Sequence, residues 1–146
     1  MNTTRSGDPV KLEFPKDVKI AQITTGDSHN LMLTNEGELY SNGDNSAGQI
    51  DGDLDNFLYY HCTPKRIILP DSSPIKKIFA QSNRSAAILE NGKSYYWGGF
   101  SYEPKCKFNK LPRYDGFNIL NDEKGIPENS KISEIGLGYL HDIILV

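Results

Sequence analysis

Three closely spaced carboxylates, at Asp51, Asp53 and Asp55, are the pattern in this chain best suited to chemistry, because carboxylate oxygens are the ligands that Ca²⁺ prefers. A calcium loop also needs glycine at its sixth position and glutamate at its twelfth. Counted from Asp51, those positions hold Asn56 and Cys62. The segment is therefore interpreted as a solvated, negatively charged insertion, and no metal site is predicted.

The remaining residues of reactive type do not have the spacing of a catalytic centre. His61 and Cys62 are adjacent, which is poor metal-ligand spacing, and Cys106 has no partner pattern for nucleophilic catalysis. Gly136-Leu137-Gly138 begins like a dinucleotide loop, but His141 stands where the third glycine belongs. We therefore predict no catalytic residue, no metal and no cofactor, and interpret the chain as a binding module rather than an enzyme.

Two segments carry side chains suited to contact a protein partner, an acidic and aromatic insertion at 51–62 and a basic loop at 102–113. Tyrosine is enriched at the energetic centre of protein interfaces. A run of lysines is either a solvated face or a site for an acidic partner. The candidate partner-binding residues are Asp51, Asp53, Asp55, Phe57, Tyr59, Tyr60, Tyr102, Lys105, Lys107 and Lys110.

The composition is that of a globular protein and restricts the classes of partner. The 146 residues are 37% hydrophobic and 24% charged, which predicts a single domain over 1–146. A net charge of -3 argues against direct nucleic-acid binding. No apolar run is long enough to span a bilayer, and two cysteines do not make a disulfide framework. These features predict an intracellular protein, cytoplasmic or nuclear.

A repeat is the strongest organisational signal in the chain. Ile20, Ile75 and Ile132 begin similar segments that stand 55 and 57 residues apart. Gly37 and Gly92 repeat the 55-residue spacing. The same unit thus occurs about two and a half times in the chain, and such internal periodicity is typical of repeat architectures.

Each unit reads as β-structure, because short apolar runs alternate with turn residues and no amphipathic helix is present. The segment 35–37, Asn-Glu-Gly, predicts a tight hairpin turn with glycine at a positive-φ position. Strands are predicted in the first copy at 18–24, 29–34, 38–42 and 64–69. Four strands in a period of about 50 residues are typical of a β-propeller blade.

The detailed motif resembles the repeat of the regulator of chromosome condensation family. Ile-x-x-Gly-x-x-His-x-x-x-Leu over 23–33 is followed by Gly-x-Leu-Tyr over 37–40 and by Gly-Asp-Asn-Ser-Ala-Gly-Gln-Ile over 43–50. Trp97-Gly98 supplies the Trp-Gly of this family's motif in the second copy. The repeat positions interpreted as structural are Gly26, His29, Gly37, Gly43, Asn45, Gly48, Gln49, Gly92, Trp97, Gly98, Gly138 and His141.

The resemblance implies an all-β fold with about two and a half four-stranded antiparallel blades of a propeller, an incomplete ring. The second copy is degenerate, with Gln81 and Arg84 in place of the glycine and histidine. Open edges can be explained by a longer parent protein, by completion with another chain or further copies, or by a larger assembly. The predicted units are 16–70, 71–118 (degenerate) and 130–146 (truncated), preceded by a strand of an earlier blade at 8–15.

Three functions follow from the resemblance as expectations. The first is a protein-interaction or scaffold module whose loops hold a protein partner, either a small GTPase or further propeller blades. The second is a guanine-nucleotide exchange factor for a small GTPase, as in the founding member of the family. The third is a structural subunit or fragment of a larger assembly. Exchange activity requires accelerated nucleotide release, whereas a scaffold shows stoichiometric binding only.

Overall fold

Antiparallel strands make up the ordered elements of the computed structural model, which describes residues 9–52, 59–99, 118–119, 126–127, 129–138 and 142–146. The strands of this part of the chain are β1 (Ile20–Thr25), β2 (His29–Thr34), β3 (Leu39–Asp44), β4 (Tyr60–Ile67), β5 (Ile75–Gln81), β6 (Arg84–Leu89), β7 (Ser94–Gly98), β8 (Asn118–Ile119), β9 (Glu134–Leu137) and β10 (Asp142–Leu145).

The strands form three sheets in sequence order. The first sheet has the order β1-β2-β3-β4, the second β5-β6-β7-β8, and the third is the pair β9-β10, all antiparallel. The prediction of an all-β fold with about two and a half four-stranded blades is confirmed. The second sheet is the less regular of the two four-stranded sheets, because β8 has only two residues, which pair with Tyr95 and Tyr96.

The sheets stack on one another through apolar cores that lie between them, so each blade buries its face against the next. Strand β5 lies against β1 on one side and β9 on the other. Leu31 and Leu33 of the first sheet share one core cluster with Ile78 and Trp97 of the second. A smaller cluster, which includes Ile88 and Ile135, joins the second sheet to the third. Burial between sheets is thus what stabilises each of them.

The segment predicted as strand 8–15 of an earlier blade does not form a strand in its described part, residues 9–15. A strand needs a neighbouring backbone to pair with, and no described residue provides one there. The segment instead packs on the first sheet. The ring of Phe14 meets that of Tyr40 edge to face, with centroids 5.4 Å apart.

The β2–β3 and β6–β7 hairpins turn at glycines with positive φ, as the Asn-Glu-Gly and Glu-Asn-Gly sequences predict. Gly37 has φ +77° and Gly92 has φ +87°. Their surroundings differ. A Cβ built on Gly37 would lie 2.7 Å from the Cβ of Pro74, whereas the nearest atom to one on Gly92 is the Cγ of Lys131 at 3.5 Å.

This difference predicts unequal costs for two matched substitutions. Gly92→Ala should lower the free energy of unfolding by about 1 kcal/mol, from backbone strain alone. Gly37→Ala should cost about 1–3 kcal/mol more, because the methyl group also collides with the segment leading into β5. Urea unfolding of both variants measures the difference. Equal losses would show that the approach of Gly37 to Pro74 does not contribute to stability.

Candidate interaction surface

A buried chain of hydrogen bonds joins the first sheet to the second. His29 Nε2 lies 2.8 Å from Ser85 Oγ, and the Ser85 hydroxyl donates to the Gln49 carbonyl at 2.7 Å. Trp97 Nε1 donates to the same carbonyl at 3.0 Å. Because the serine proton goes to Gln49, the serine oxygen must accept from His29, which places the imidazole proton on Nε2. We call His29, Gln49, Ser85 and Trp97 the junction hub; each is at most 1% exposed.

His29 is held in its neutral form by this environment. Burial lowers the pKa of His29 from 6.5 to about 4, and the nearby carboxylates of Asp44 and Asp27 oppose that shift only partly. A neutral, buried imidazole with its Nε2 committed to Ser85 serves as a structural hydrogen-bond donor. This geometry gives it no role as a proton carrier at neutral pH.

The glycine of the Gly-x-x-His motif makes room for the histidine. A Cβ built on Gly26 would lie 2.3 Å from His29 Cε1 and 2.3 Å from the carbonyl oxygen of Ser82 in the second sheet. The adjacent Asp27 amide donates to that carbonyl at 3.0 Å. Gly26 thus allows the imidazole and the β5–β6 turn to approach the same point.

The loop after β3 holds the Gln49 carbonyl in place. The Gln49 side chain accepts a hydrogen bond from the Ala47 amide at 2.8 Å and donates to Asp44 Oδ2 at 2.9 Å. Asn45 accepts from the Ile50 amide at 2.9 Å. The Asn-x-x-Gly-Gln part of the motif is therefore a set of loop braces whose backbone reaches the next blade.

Asp51, predicted to contact a partner, is committed within the chain. Its Oδ1 accepts from Asn45 Nδ2 at 2.8 Å and its Oδ2 from Lys65 Nζ at 2.8 Å. Its side chain is 12% exposed. Both carboxylate oxygens of Asp51 therefore brace the loop within the chain.

The junction between the second and third sheets uses charged side chains at equivalent positions. Arg84, which occupies the position of His29, pairs with Asp142 at 2.6 Å and donates to the Gly138 carbonyl. Lys77 pairs with Glu134. In the sequence, Arg84 is interpreted as a sign of degeneracy. The structure shows that Arg84 keeps the contact between blades, with an ion pair to Asp142 in place of the neutral hydrogen bond between His29 and Ser85.

Sequence reasoning missed a second clamp in the first junction. Gln22 Nε2 donates to the Ile78 carbonyl at 2.8 Å, and the Ile78 amide donates to Gln22 Oε1 at 3.0 Å. Lys77 holds the equivalent position in the second blade and reaches the third sheet. The sequence signal that could have predicted this clamp is the pair of long polar side chains, Gln22 and Lys77, at one repeat position 55 residues apart.

Among the candidate partner residues that the structure describes, the exposed ones are Tyr59 and Tyr60, at the base of the insertion. Tyr59 is 57% and Tyr60 is 60% exposed. The Asn45 amide donates to the Tyr59 carbonyl at 2.7 Å, and Tyr60 pairs with Asp44 across β3 and β4. The backbone of both tyrosines is therefore fixed while their rings face solvent. The other candidate partner residues, and His141, lie outside the described residues: Asp53, Asp55, Phe57, Tyr102, Lys105, Lys107 and Lys110.

A groove of about 280 Å³ lies at the opposite end of the first sheet, between the β2–β3 turn and the segment before β5. Two of its carboxylates, Glu38 and Asp71, are paired within the chain. A hydrogen bond from Lys16 lowers the pKa of Glu38, and a bond from the Ser73 amide, followed by one from Lys93, lowers that of Asp71. We interpret this groove as an ion-paired seam between blades.

Within the described ranges, His, Cys, Asp and Glu side chains form no group of three that could hold a metal ion. That same part of the chain contains no helix long and apolar enough to cross a membrane.

Comparison with known proteins agrees with this architecture. A family model described as the regulator of chromosome condensation (RCC1) repeat matches residues 20–49. The ultraviolet-B receptor UVR8 of Arabidopsis thaliana is 36% identical over 136 residues, which cover 92% of this chain and 29% of the receptor. The guanine nucleotide exchange factor SRM1 of Saccharomyces cerevisiae is 31% identical over 99 residues, which cover 62% of this chain and 20% of that protein.

The fold is also similar to that of a solved structure. The crystal structure of human WBSCR16 superposes with a TM-score of 0.70 at 19% identity, covering 91% of this chain and 32% of that one. This chain therefore spans less than a third of the length of each of these proteins.

Proposed function

The chain is built from repeats of the regulator of chromosome condensation family, and on that premise we propose that it is a protein-interaction module. Its propeller blades present Tyr59 and Tyr60, which we call the tyrosine rim, to a protein partner. The observation that carries this proposal is the contrast in burial between two sets of polar and aromatic side chains. The hub residues are buried between blades, while the two tyrosines project from a braced loop base.

The tyrosine pair has the properties of an interface anchor. Each ring offers a large apolar area and a hydroxyl, and loses little conformational entropy on binding. Three hydrogen bonds fix the loop from which the pair emerges: Asn45 Nδ2 donates to Asp51, the Ser46 amide donates to Asp44, and the Asn45 amide donates to the Tyr59 carbonyl. Binding residues on loops held by a rigid scaffold are a common arrangement in proteins.

Binding fits this geometry better than catalysis. Histidine is the side chain most often used for acid–base work near neutral pH. Burial holds the pKa of His29 near 4, and the Nε2 of that imidazole is committed to Ser85. Fold alone does not assign a function, whereas the chemistry of specific side chains does.

A small GTPase is the partner class we propose, since the yeast relative is named a guanine nucleotide exchange factor. That name also supports a second candidate function, in which this chain accelerates nucleotide release. The two candidates differ in outcome: a scaffold binds stoichiometrically and leaves the release rate unchanged. A purely structural subunit shows no saturable binding to a free GTPase.

The test uses a set of purified small GTPases loaded with a fluorescent guanine nucleotide. We expect saturable one-to-one binding without faster nucleotide release. Combined Tyr59→Ala and Tyr60→Ala substitutions should weaken binding roughly tenfold or more. Ile68→Ala is the matched control, because Ile68 is 74% exposed but follows the other end of β4, and it should leave the affinity unchanged.

Accelerated release in this assay would replace the scaffold proposal with the exchange-factor alternative. Absence of binding to every GTPase would overturn the proposed partner class. An equal loss of affinity in the Ile68→Ala variant would show that the tyrosine rim is not the contact surface.

A further inference from the structure

The chain contains two asparagine–glycine pairs, Asn42-Gly43 and Asn91-Gly92, and the structure places them in opposite settings. An asparagine before glycine can lose its side-chain amide, because the next backbone nitrogen attacks the side-chain carbonyl carbon and glycine puts no Cβ in its way. We propose that Asn91 is a site of spontaneous deamidation in the folded protein and that Asn42 is protected. This inference uses residues apart from the tyrosine rim and does not depend on the proposed function.

The reaction is a ring closure followed by hydrolysis. The Gly92 nitrogen loses its proton to hydroxide and forms a bond with Asn91 Cγ. The bond from Cγ to Nδ2 breaks, and ammonia leaves with a proton taken from water. Water then opens the resulting succinimide at either of its carbonyl groups, which gives aspartate or isoaspartate at position 91. The co-reactants are thus water and hydroxide, and no oxidant or reductant is needed.

Asn91 has the exposure and the space that ring closure needs. The residue is exposed in the turn between β6 and β7. Gly92 follows it with φ +87°, and the nearest atom to a Cβ built on this glycine is Lys131 Cγ at 3.5 Å. The hydrogen bond from the Gly92 amide to the Leu89 carbonyl, at 3.0 Å, must open before the nitrogen attacks. Exposed turns open locally at a low cost in free energy.

Two hydrogen bonds hold the Asn91 carboxamide. Its Oδ1 accepts from the Lys93 amide at 3.0 Å, and its Nδ2 donates to Asp71 Oδ2 at 3.1 Å. The ring of atoms closed by the Lys93 bond includes both Asn91 Cγ and the Gly92 nitrogen, so the reacting atoms are held near each other. The Lys93 amide also stabilises the negative charge that develops on Oδ1 during the attack.

Asn42 has the same following residue but lies in a central strand. Gly43 pairs with His29 of β2 on one side and with His61 of β4 on the other. A Cβ built on Gly43 would lie 2.4 Å from the Ser28 carbonyl oxygen, so the backbone is closely packed at this point. Attack by the Gly43 nitrogen would require strand pairing to break on both sides, which costs far more free energy than the opening of a turn.

Deamidation of Asn91 would alter the ion-paired groove between the first two blades. A carboxylate at position 91 has no proton to donate to Asp71, and the two like charges would face each other. The Asn91 backbone amide donates to Ser73 Oγ at 3.2 Å, and both Asp71 and Ser73 line the groove. The modification would therefore weaken the link between the β6–β7 turn and the segment that leads into β5.

The test is ageing of the full chain at mildly alkaline pH, followed by tryptic digestion and mass spectrometry. The tryptic peptide 85–93 contains Asn91 as its single side-chain amide. We expect its mass to rise with time as the amide becomes an acid, and the isoaspartate product to be methylated by protein-isoaspartate methyltransferase. Asn42, located by fragmentation of the tryptic peptide 20–65, is the internal control and should gain no mass in the folded protein.

The same incubation in concentrated urea separates the effect of the fold from that of the dipeptide. Both Asn91 and Asn42 should react there, because neither backbone is held. Gly92→Ala should suppress the mass gain of peptide 85–93 in urea as well as in the native chain, since its methyl group hinders the attacking nitrogen. The result in urea does not depend on whether this variant folds.

A folded chain whose peptide 85–93 gains no mass would overturn the inference. So would a gain at Asn42 in the folded chain at the same rate as at Asn91. A mass gain that Gly92→Ala leaves unchanged would also contradict it, because the amide would then be lost by direct hydrolysis rather than by ring closure.

Discussion

Trp97→Ala is expected to lower the free energy of unfolding by about 3–5 kcal/mol, the range typical of removing a large buried aromatic side chain. The indole is 0% exposed and lies in the core between the first two sheets. Its Nε1 also donates to the Gln49 carbonyl at 3.0 Å, so the substitution removes a hub hydrogen bond together with the apolar packing. Urea unfolding followed by far-ultraviolet circular dichroism is the appropriate measurement, because Trp97 is the single tryptophan of the chain.

Two controls separate the parts of this effect. Trp97→Phe keeps most of the packing and removes the donor, and should cost about 1–2 kcal/mol. Tyr60→Ala removes an aromatic ring that is 60% exposed, and should change stability by less than about 0.5 kcal/mol. A Trp97→Ala cost similar to that of Tyr60→Ala would mean that the inter-sheet core does not hold the blades together.

Acidification is expected to destabilise the protein through His29. The pKa of His29 is about 4 in the folded chain and near 6.5 in the unfolded chain. Between these values the unfolded state binds a proton that the folded state does not, so stability falls as pH is lowered from 6.5 toward 4. Above pH 6.5 the imidazole is neutral in both the folded and the unfolded state, and the free energy of unfolding has its full value. Between pH 6.5 and pH 4 the free energy of unfolding falls by about 3 kcal/mol in total.

Urea unfolding at a series of pH values with His29→Gln as the test variant isolates this contribution. The variant should lose the part of the pH dependence that lies in this window. Gln22→Ala is the matched control, since it removes a clamp of the same junction but no titrating group. The Gln22→Ala variant should have a lower free energy of unfolding at every pH, and this free energy should change with pH as it does in the unsubstituted protein. An unchanged slope in His29→Gln would contradict the assignment of His29 as the titrating group.

The two junctions explain why the second repeat copy departs from the motif. In the first junction a neutral histidine meets a serine, His29 with Ser85. In the second an arginine meets an aspartate, Arg84 with Asp142, at the equivalent positions. The residue at this position of the motif is thus matched to the following blade, because its side chain reaches across the interface.

The sequence by itself determined the local unit. The 55- and 57-residue spacings, the alternation of short apolar runs and the Asn-Glu-Gly turn predicted four-stranded antiparallel blades. Strand β2 was predicted at its observed bounds, and β1 and β3 were placed within two residues of theirs at each end. These features are local, since a glycine with positive φ and a period of two are properties of neighbouring residues.

Only the tertiary structure decided how the units use their side chains. Ile23 and Ile78 occupy one repeat position, yet one is exposed and the other buried, because burial depends on which sheet packs against each. Asp51 was predicted to contact a partner, but its carboxylate accepts a hydrogen bond from Lys65, which lies on the strand beyond the insertion. Segment 8–15 has strand-like residues, but its described part lacks a backbone to pair with. Contacts between units form across about 55 residues, a distance over which the pattern of one unit does not specify its partner.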